Sequence, residues 1–183
     1  MASQGPNLVT VVEQSGLGGT WVNPTNITAD DGSYAAVSLE GTFSKKLIGR
    51  SLGFTIPATA TINGIIVDVE RQQDGIQAGD VQDSTVQLQD DTATLVGNNK
   101  ATNTSFVASP SWEVKTYGNS TDTWGWAGVT PTKINHANFG VVLIVNETFV
   151  QPQDGRIDYV KITVHYTEAA GGAGKQTMLL GVG

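Results

Sequence analysis

Two carboxylates invite a chemical reading first. Asp68 and Glu70 lie two apart in Thr61–Arg71 (TINGIIVDVER), which on a strand separates their backbones by roughly 6.6 Å. That spacing falls in the range used by inverting glycosidases, which need one carboxyl as acid and another as base. A general acid needs a pKa raised by burial or by a close like charge, and this strand face reads as solvated. The pair is therefore expected to be a polar strand face. Asp74, Asp80 and Asp83 could gather around Ca²⁺ as loop ligands, yet they match no calcium-loop spacing such as D-x-[DN]-x-[DN]-G, so turn-forming roles are expected. His165 sits on an outward strand face. His136 follows a short helix, where a helix C-terminus favours a cation. No G-x-S-x-G elbow accompanies them. Gly172-Ala-Gly174-Lys175 fails the phosphate-loop pattern, because position 169 is Ala and Gln176 stands where Ser or Thr should be. With no cysteine in the chain, thiolate catalysis, thiolate metal sites and disulfides are excluded. No catalytic, cofactor-binding or metal-binding residue is assigned, and the expectation is a protein that is not an enzyme.

Aromatic residues offer a different chemistry. Trp112, Trp124 and Trp126, with Tyr117, cluster around a Gly-rich loop. Exposed, they would form a platform for sugar rings or an anchor for a protein interface. Buried, they would cap the ends of the fold. Trp124 and Trp126 are carried forward as candidate interface residues, together with Met178, Leu179 and Leu180 in the tail.

The elements that must position these residues are strands. In Thr61–Arg71, Ile65, Val67 and Val69 share one face while Ile66, Asp68 and Glu70 share the other. In Arg156–Thr167, Val160, Ile162, Val164 and Tyr166 point in and Tyr159, Lys161, Thr163 and His165 point out. Asn7–Glu13, Ser33–Leu39, Lys46–Phe54, Ser84–Gln89, Thr92–Val96, Trp112–Thr116 and the doubly apolar Phe139–Val145 complete the set. Thr130-Pro131 is the one good helix start, with Thr as N-cap and Pro at the first position. The pattern predicts an all-β, jelly-roll-like antiparallel β-sandwich of about eight strands with one short helix. Its expected organisation is an N-terminal arm over residues 1–20, the sandwich over 21–167, and a Gly-rich tail over 168–183 whose Met178-Leu-Leu180 is a small apolar plug.

Composition agrees and narrows the partners. The 183 residues include 22 Gly and carry a net charge of −7 from 10 Lys+Arg and 17 Asp+Glu. An acidic balance argues against nucleic acid, whose phosphates need a basic footprint. The apolar runs are far shorter than the ~20 residues that span a bilayer, and the first residues lack the basic and apolar regions of a secretory leader. The charged fraction is only 15%, against a typical ~25%, so uncharged polar groups carry solubility.

One combination of residues goes further. Trp21-x-Asn23-Pro24-x-Asn26, Asp31-Gly32-x-Tyr34-Ala35, Leu52-Gly-Phe54-x-Ile56-Pro57, Ile62-x-Gly64-Ile65-x-Val67-x-Val69-x-Arg71 and the closing Asp158-Tyr159-Val160-x-Ile162-x-Val164-x-Tyr166 resemble the jelly-roll auxiliary virion proteins of tailed bacteriophages. The resemblance spans about Trp21–Tyr166. It implies a structural protein that decorates or cements a capsid by binding the major capsid protein or another virion protein, as a homo-oligomer with a trimer favoured, located in the virion and using no cofactor. The alternative is a tail- or fibre-associated module that binds glycans or a receptor through the Trp112–Trp126 region.

Overall fold

The computed structural model describes residues 1–74, 81–148 and 153–169. Ten strands run through them: β1 (Ala2–Leu8), β2 (Val11–Ser15), β3 (Ala35–Leu39), β4 (Lys46–Arg50), β5 (Thr61–Asp74), β6 (Val81–Gln89), β7 (Leu95–Val96), β8 (Glu113–Gly118), β9 (Gly140–Glu147) and β10 (Gln153–Thr167). They form two antiparallel sheets. The first has the order β1-β10-β5-β8, with β3 also paired to β10; the second has the order β2-β4-β9-β6-β7. The fold is a jelly-roll-like β-sandwich, 52% strand.

The long alternating segments make its spine, because a period of two gives each strand one apolar side to bury. Ile65, Val67 and Val69 of β5 and Val160, Ile162 and Val164 of β10 are all core residues, facing Val86, Leu88, Val141, Leu143 and Val145 of the second sheet. Helix α1 (Pro131–Ile134) begins as its sequence requires. Thr130 is extended and its hydroxyl accepts from the Lys133 amide at 3.4 Å, with Pro131 in the first turn.

The N-terminal segment differs from expectation. Residues 1–20, expected as an arm apart from the sandwich, supply two of its strands: β1 pairs with the C-terminal half of β10, and β2 pairs with β4. β1 was hard to read because Gly5 and Pro6 interrupt its alternation. The ladder steps over them, shifting register between Gln4 and Asn7. The tail from residue 170 onward, including Met178, Leu179 and Leu180, lies outside the described residues. No helix among the described residues is long and apolar enough to cross a membrane.

Candidate functional site

Strand β5 carries charge on both sides. On the inner side Arg71 is fully buried. Its Nε donates to Glu113 Oε1 at 2.9 Å, and its Nη1 donates to Asp83 and, at 3.1 Å, to the Tyr117 hydroxyl. The guanidinium carbon also lies 4.4 Å from the Phe106 ring centre, a geometry favourable for a cation over a π face. Burial is the main reason that the Tyr117 phenol is pushed up to about 12, against the pull of Arg71. Asp83 is further anchored by the Thr102 amide at 2.9 Å. This constellation has its own cation, though Arg71 Nη2 is buried without a hydrogen-bond partner among the described residues.

On the outer side, one residue away, the balance is different. Between Ile157 and Val160, β10 has an extra residue relative to β5: Ile157 pairs with Arg71 and Val160 with Val69, so Glu70 faces both Asp158 and Tyr159. Such a bulge re-aims side chains. It turns Asp158 into a buried position at 2% exposure, where Oδ2 accepts from the Gly32 amide at 3.2 Å. The loop before β3 is held over this point by a bridge between Thr28 and Tyr159, bringing in Asp30. Carboxylate oxygens of Asp30, Glu70 and Asp158 lie within 4.8 Å of one another. The Glu70 carboxyl is raised to about 7: burial contributes most, then the hydrogen bond it shares with Asp158, then repulsion from Asp158 and Asp30, with Lys161 opposing. Lys161 Nζ donates to Asp30 Oδ2 at 2.7 Å and sits 3.9 Å from the Tyr159 ring centre; its bond to Asp30 is the leading reason its own pKa is raised. These residues could hold a hard cation.

The opposite face of the molecule holds a cleft. Across the outer side of the second sheet, Arg50 pairs with Gly140, Gly140 with Gln89, and Gln89 with Leu95. The row has no side chain at its centre. None fits there, since a Cβ at Gly140 would lie 2.0 Å from the Gly49 carbonyl oxygen and 2.8 Å from Arg50 Cα. Beside this row opens a cleft of about 230 Å³, lined among others by Glu13, Lys46, Arg50, Gln89 and Asn138, with Ile48 and Leu95 as its apolar surfaces. Arg50 is ion-paired with Glu13. Gln89 donates to the Asn138 carbonyl and Asn138 to the Asp91 carbonyl, both at 2.9 Å, so the amide side chains are held in place.

The candidates from sequence land unevenly. Trp124 and Trp126 are not exposed platform residues: they are 0% and 6% exposed and belong to the core. Trp124 donates Nε1–H to the Ile65 carbonyl at 2.8 Å. It fits because Gly118, at φ 76°, leaves space; a Cβ there would stand 2.6 Å from the indole nitrogen. Tyr117 is buried as well, while Trp112 is half-buried on the first sheet's outer face, 5.8 Å from Tyr34 with Arg156 stacked on Tyr34 at 4.8 Å. Asp68 accepts from the Thr116 hydroxyl at 2.6 Å, and Glu70 joins Asp158. Of the acidic trio, Asp83 is tied to Arg71, Asp74 to Arg156, and Asp80 lies outside the described residues. His136 accepts the Asn138 amide on Nδ1 at 3.1 Å, helping to shape the cleft wall. Sequence reading missed Asp158 and Asp30, and all the cleft residues. The only signal for the cleft was the outward polar row Gln87 and Gln89 on one strand and Lys46 and Arg50 on another.

The sequence matches no family model and no curated protein. Among solved structures, the fold is similar to TmCBM61 in complex with β-1,4-galactotriose (TM-score 0.45, 11% identity, covering 83% of this chain and 86% of that one). It is also similar to an exo-β-agarase (TM-score 0.42, 7% identity, 82% of this chain and 23% of that one). A third is the CBM22-1–GH10 portion of Clostridium thermocellum xylanase 10B with xylohexaose (TM-score 0.41, 11% identity, 91% of this chain and 28% of that one). At such identities and TM-scores, the ligands of these proteins are not carried over to this chain.

Proposed function

We propose that the chain is a non-catalytic binding module that holds a hydroxyl-rich ligand, a glycan, in the cleft between Arg50, Gln89 and Asn138. The observation that supports this reading is the lining. An amide pair, a guanidinium, an ammonium and a carboxylate stand around the aliphatic surfaces of Ile48 and Leu95. Sugar hydroxyls both donate and accept, and they suit amide and charged side chains fixed in position, while the C–H faces of the rings rest on aliphatic carbon. At about 230 Å³ the cleft is smaller than the 300–1,000 Å³ of pockets that engulf a small molecule, and it suits one or two rings of a chain passing over the sheet. Lys46 and Arg50 outnumber Glu13, so an acidic sugar is accommodated as well. Catalysis is not assigned, because the one carboxylate in the lining, Glu13, is paired with Arg50.

A glycan array tests this. The wild-type chain is expected to bind a restricted set of glycans, and Lys46→Ala and Asn138→Ala to weaken binding by about tenfold each, the loss of one or two hydrogen bonds to a charged or amide group. Trp112→Ala is expected to leave binding unchanged. Absence of any bound glycan, or loss of binding in Trp112→Ala alone, would refute the cleft as the site.

A second reading, adhesion within a virion, has its own supporting feature besides the sequence resemblance. Leu17 and Phe43 are 96% and 56% exposed on adjoining loops, joined by the Gly19 amide donating to the Phe43 carbonyl at 2.9 Å. Large exposed apolar side chains at one edge suit packing against a neighbouring subunit, whether a capsid protein or a second and third copy of this chain. In purified particles, hundreds of copies and loss of association in Leu17→Ser/Phe43→Ser are expected under this reading; retained association in that variant would remove its support.

A further inference from the structure

We infer that the bulge in β10 completes a calcium site made by Asp30, Glu70 and Asp158, independent of the cleft on the opposite sheet. Three chain segments converge there: the loop before β3, the outer side of β5 and the bulge itself. All three offer carboxylate oxygens, no two of the ligating atoms being more than 4.8 Å apart. Oxygens at 2.3–2.6 Å from a Ca²⁺ ion stand at most roughly 5 Å apart across it, so the spacing is compatible with one coordination shell. The absence of His and Cys from the group favours a hard cation over zinc or copper.

The second observation is the state of Asp158. The residue is 98% buried, since only 2% of its surface is exposed. While Oδ2 receives the Gly32 amide, Oδ1 is sealed from solvent and receives no N–H or hydroxyl of the described residues. Its facing neighbour is the acid Glu70. The Glu70 carboxyl can share a hydrogen bond with Asp158 only when one of the two carries a proton, and with both ionised a buried carboxylate oxygen faces a second carboxylate in place of a donor, which is costly. Lys161 compensates in part, but its ammonium is committed to Asp30 Oδ2. With all three carboxylates ionised, as a bound cation would hold them, they and the one ammonium leave a charge of −2, which a divalent ion cancels.

The ion would fasten the loop carrying Asp30 onto β5 and β10. Two contacts already hold that loop in place, the Thr28–Tyr159 bridge and the Gly32 amide on Asp158. The site is therefore largely preorganised in the chain's own geometry, with water and backbone carbonyls left to complete the six to eight ligands that calcium takes.

The test uses the full chain, stripped with a chelator and titrated with calcium chloride by calorimetry and by thermal unfolding. One calcium per chain is expected. The unfolding midpoint should rise by roughly 5–10 °C when calcium stands a hundredfold above Kd, and magnesium should give a smaller rise, because it demands a tighter octahedron. Glu70→Gln and Asp158→Asn should each weaken calcium binding by more than about tenfold, as expected when a charged ligand is removed. Glu70 is only half-buried, so its amide variant provides a folded reading even if Asp158→Asn does not fold. Lys46→Ala should bind calcium as the wild type does, which separates this site from the cleft. No binding heat and no midpoint shift, or undiminished affinity in Glu70→Gln, would overturn the inference.

Discussion

Glu70 and Arg71 are consecutive residues of one strand, and they sit in opposite electrostatic situations. On the inner side, Arg71 brings a cation to Asp83 and Glu113, and every carboxylate there has a donor. On the outer side, Glu70 faces Asp158 across a bulge with Asp30 beside it, and the single ammonium is spent on Asp30. The inner group is a network around its own cation, with Arg71 Nη2 buried and without a hydrogen-bond partner among the described residues. The outer group sets three carboxylates against one ammonium, where the inner group sets two against one guanidinium, and it is arranged to take a further cation from solution. Burial alone does not separate the two, since Asp83 and Asp158 are both 2% exposed. What separates them is how many carboxylates share the one cation the chain supplies.

Exchanging a carboxylate for an amide on each side sharpens this contrast most. Asp83→Asn leaves the buried Arg71 guanidinium short of its partner, and breaking a buried pair from one side costs about 3–5 kcal/mol. The midpoint of urea unfolding should fall accordingly, with or without calcium. Glu70→Gln in calcium-free buffer should do the opposite, adding about 0.5–1 kcal/mol once solvent screening is allowed for, because it removes a like charge from Asp158. A loss of stability in that variant without calcium would mean that the outer group is already balanced.

The smallest effect lies in pH. Because the folded-state pKa of Glu70 is about 7 against an ordinary 4.5, the native chain binds more protons than the unfolded chain between those values. Its stability without calcium therefore falls as pH rises from 4.5 to 7. Unfolding midpoints measured across that window should show the decline in the wild type and a flatter profile in Glu70→Gln.

Much of the fold was legible because alternation is a local signal. Val67 and Val69, or Ile162 and Val164, declare their face without reference to any partner, and Thr130-Pro131 declares a helix start. The sites were legible only in part. Asp68 and Glu70 stood out as a pair, yet the partner of Glu70 is Asp158, which comes from a bulge that breaks the very alternation used to read β10. Asp30 reaches the group through a loop whose path depends on the Thr28–Tyr159 bridge. The cleft depends on Arg50, Gln89 and Asn138 coming together, a juxtaposition of segments distant in sequence. Trp124 and Trp126 were open to two readings because an indole beside glycines looks the same in a loop that presents it and in a loop that tucks it under β5. The buried Ile65 carbonyl that receives Trp124 decides between them, and no local pattern shows it.

The contrast between the two sides of β5 is tested most directly by a crystal structure of the chain grown in calcium, with anomalous scattering used to identify the ion. The expected result is one calcium bonded at 2.3–2.6 Å to oxygens of Asp30, Glu70 and Asp158, and none beside Asp83. A structure in which Glu70 and Asp158 remain in direct contact at saturating calcium, with no ion between them, would contradict the account.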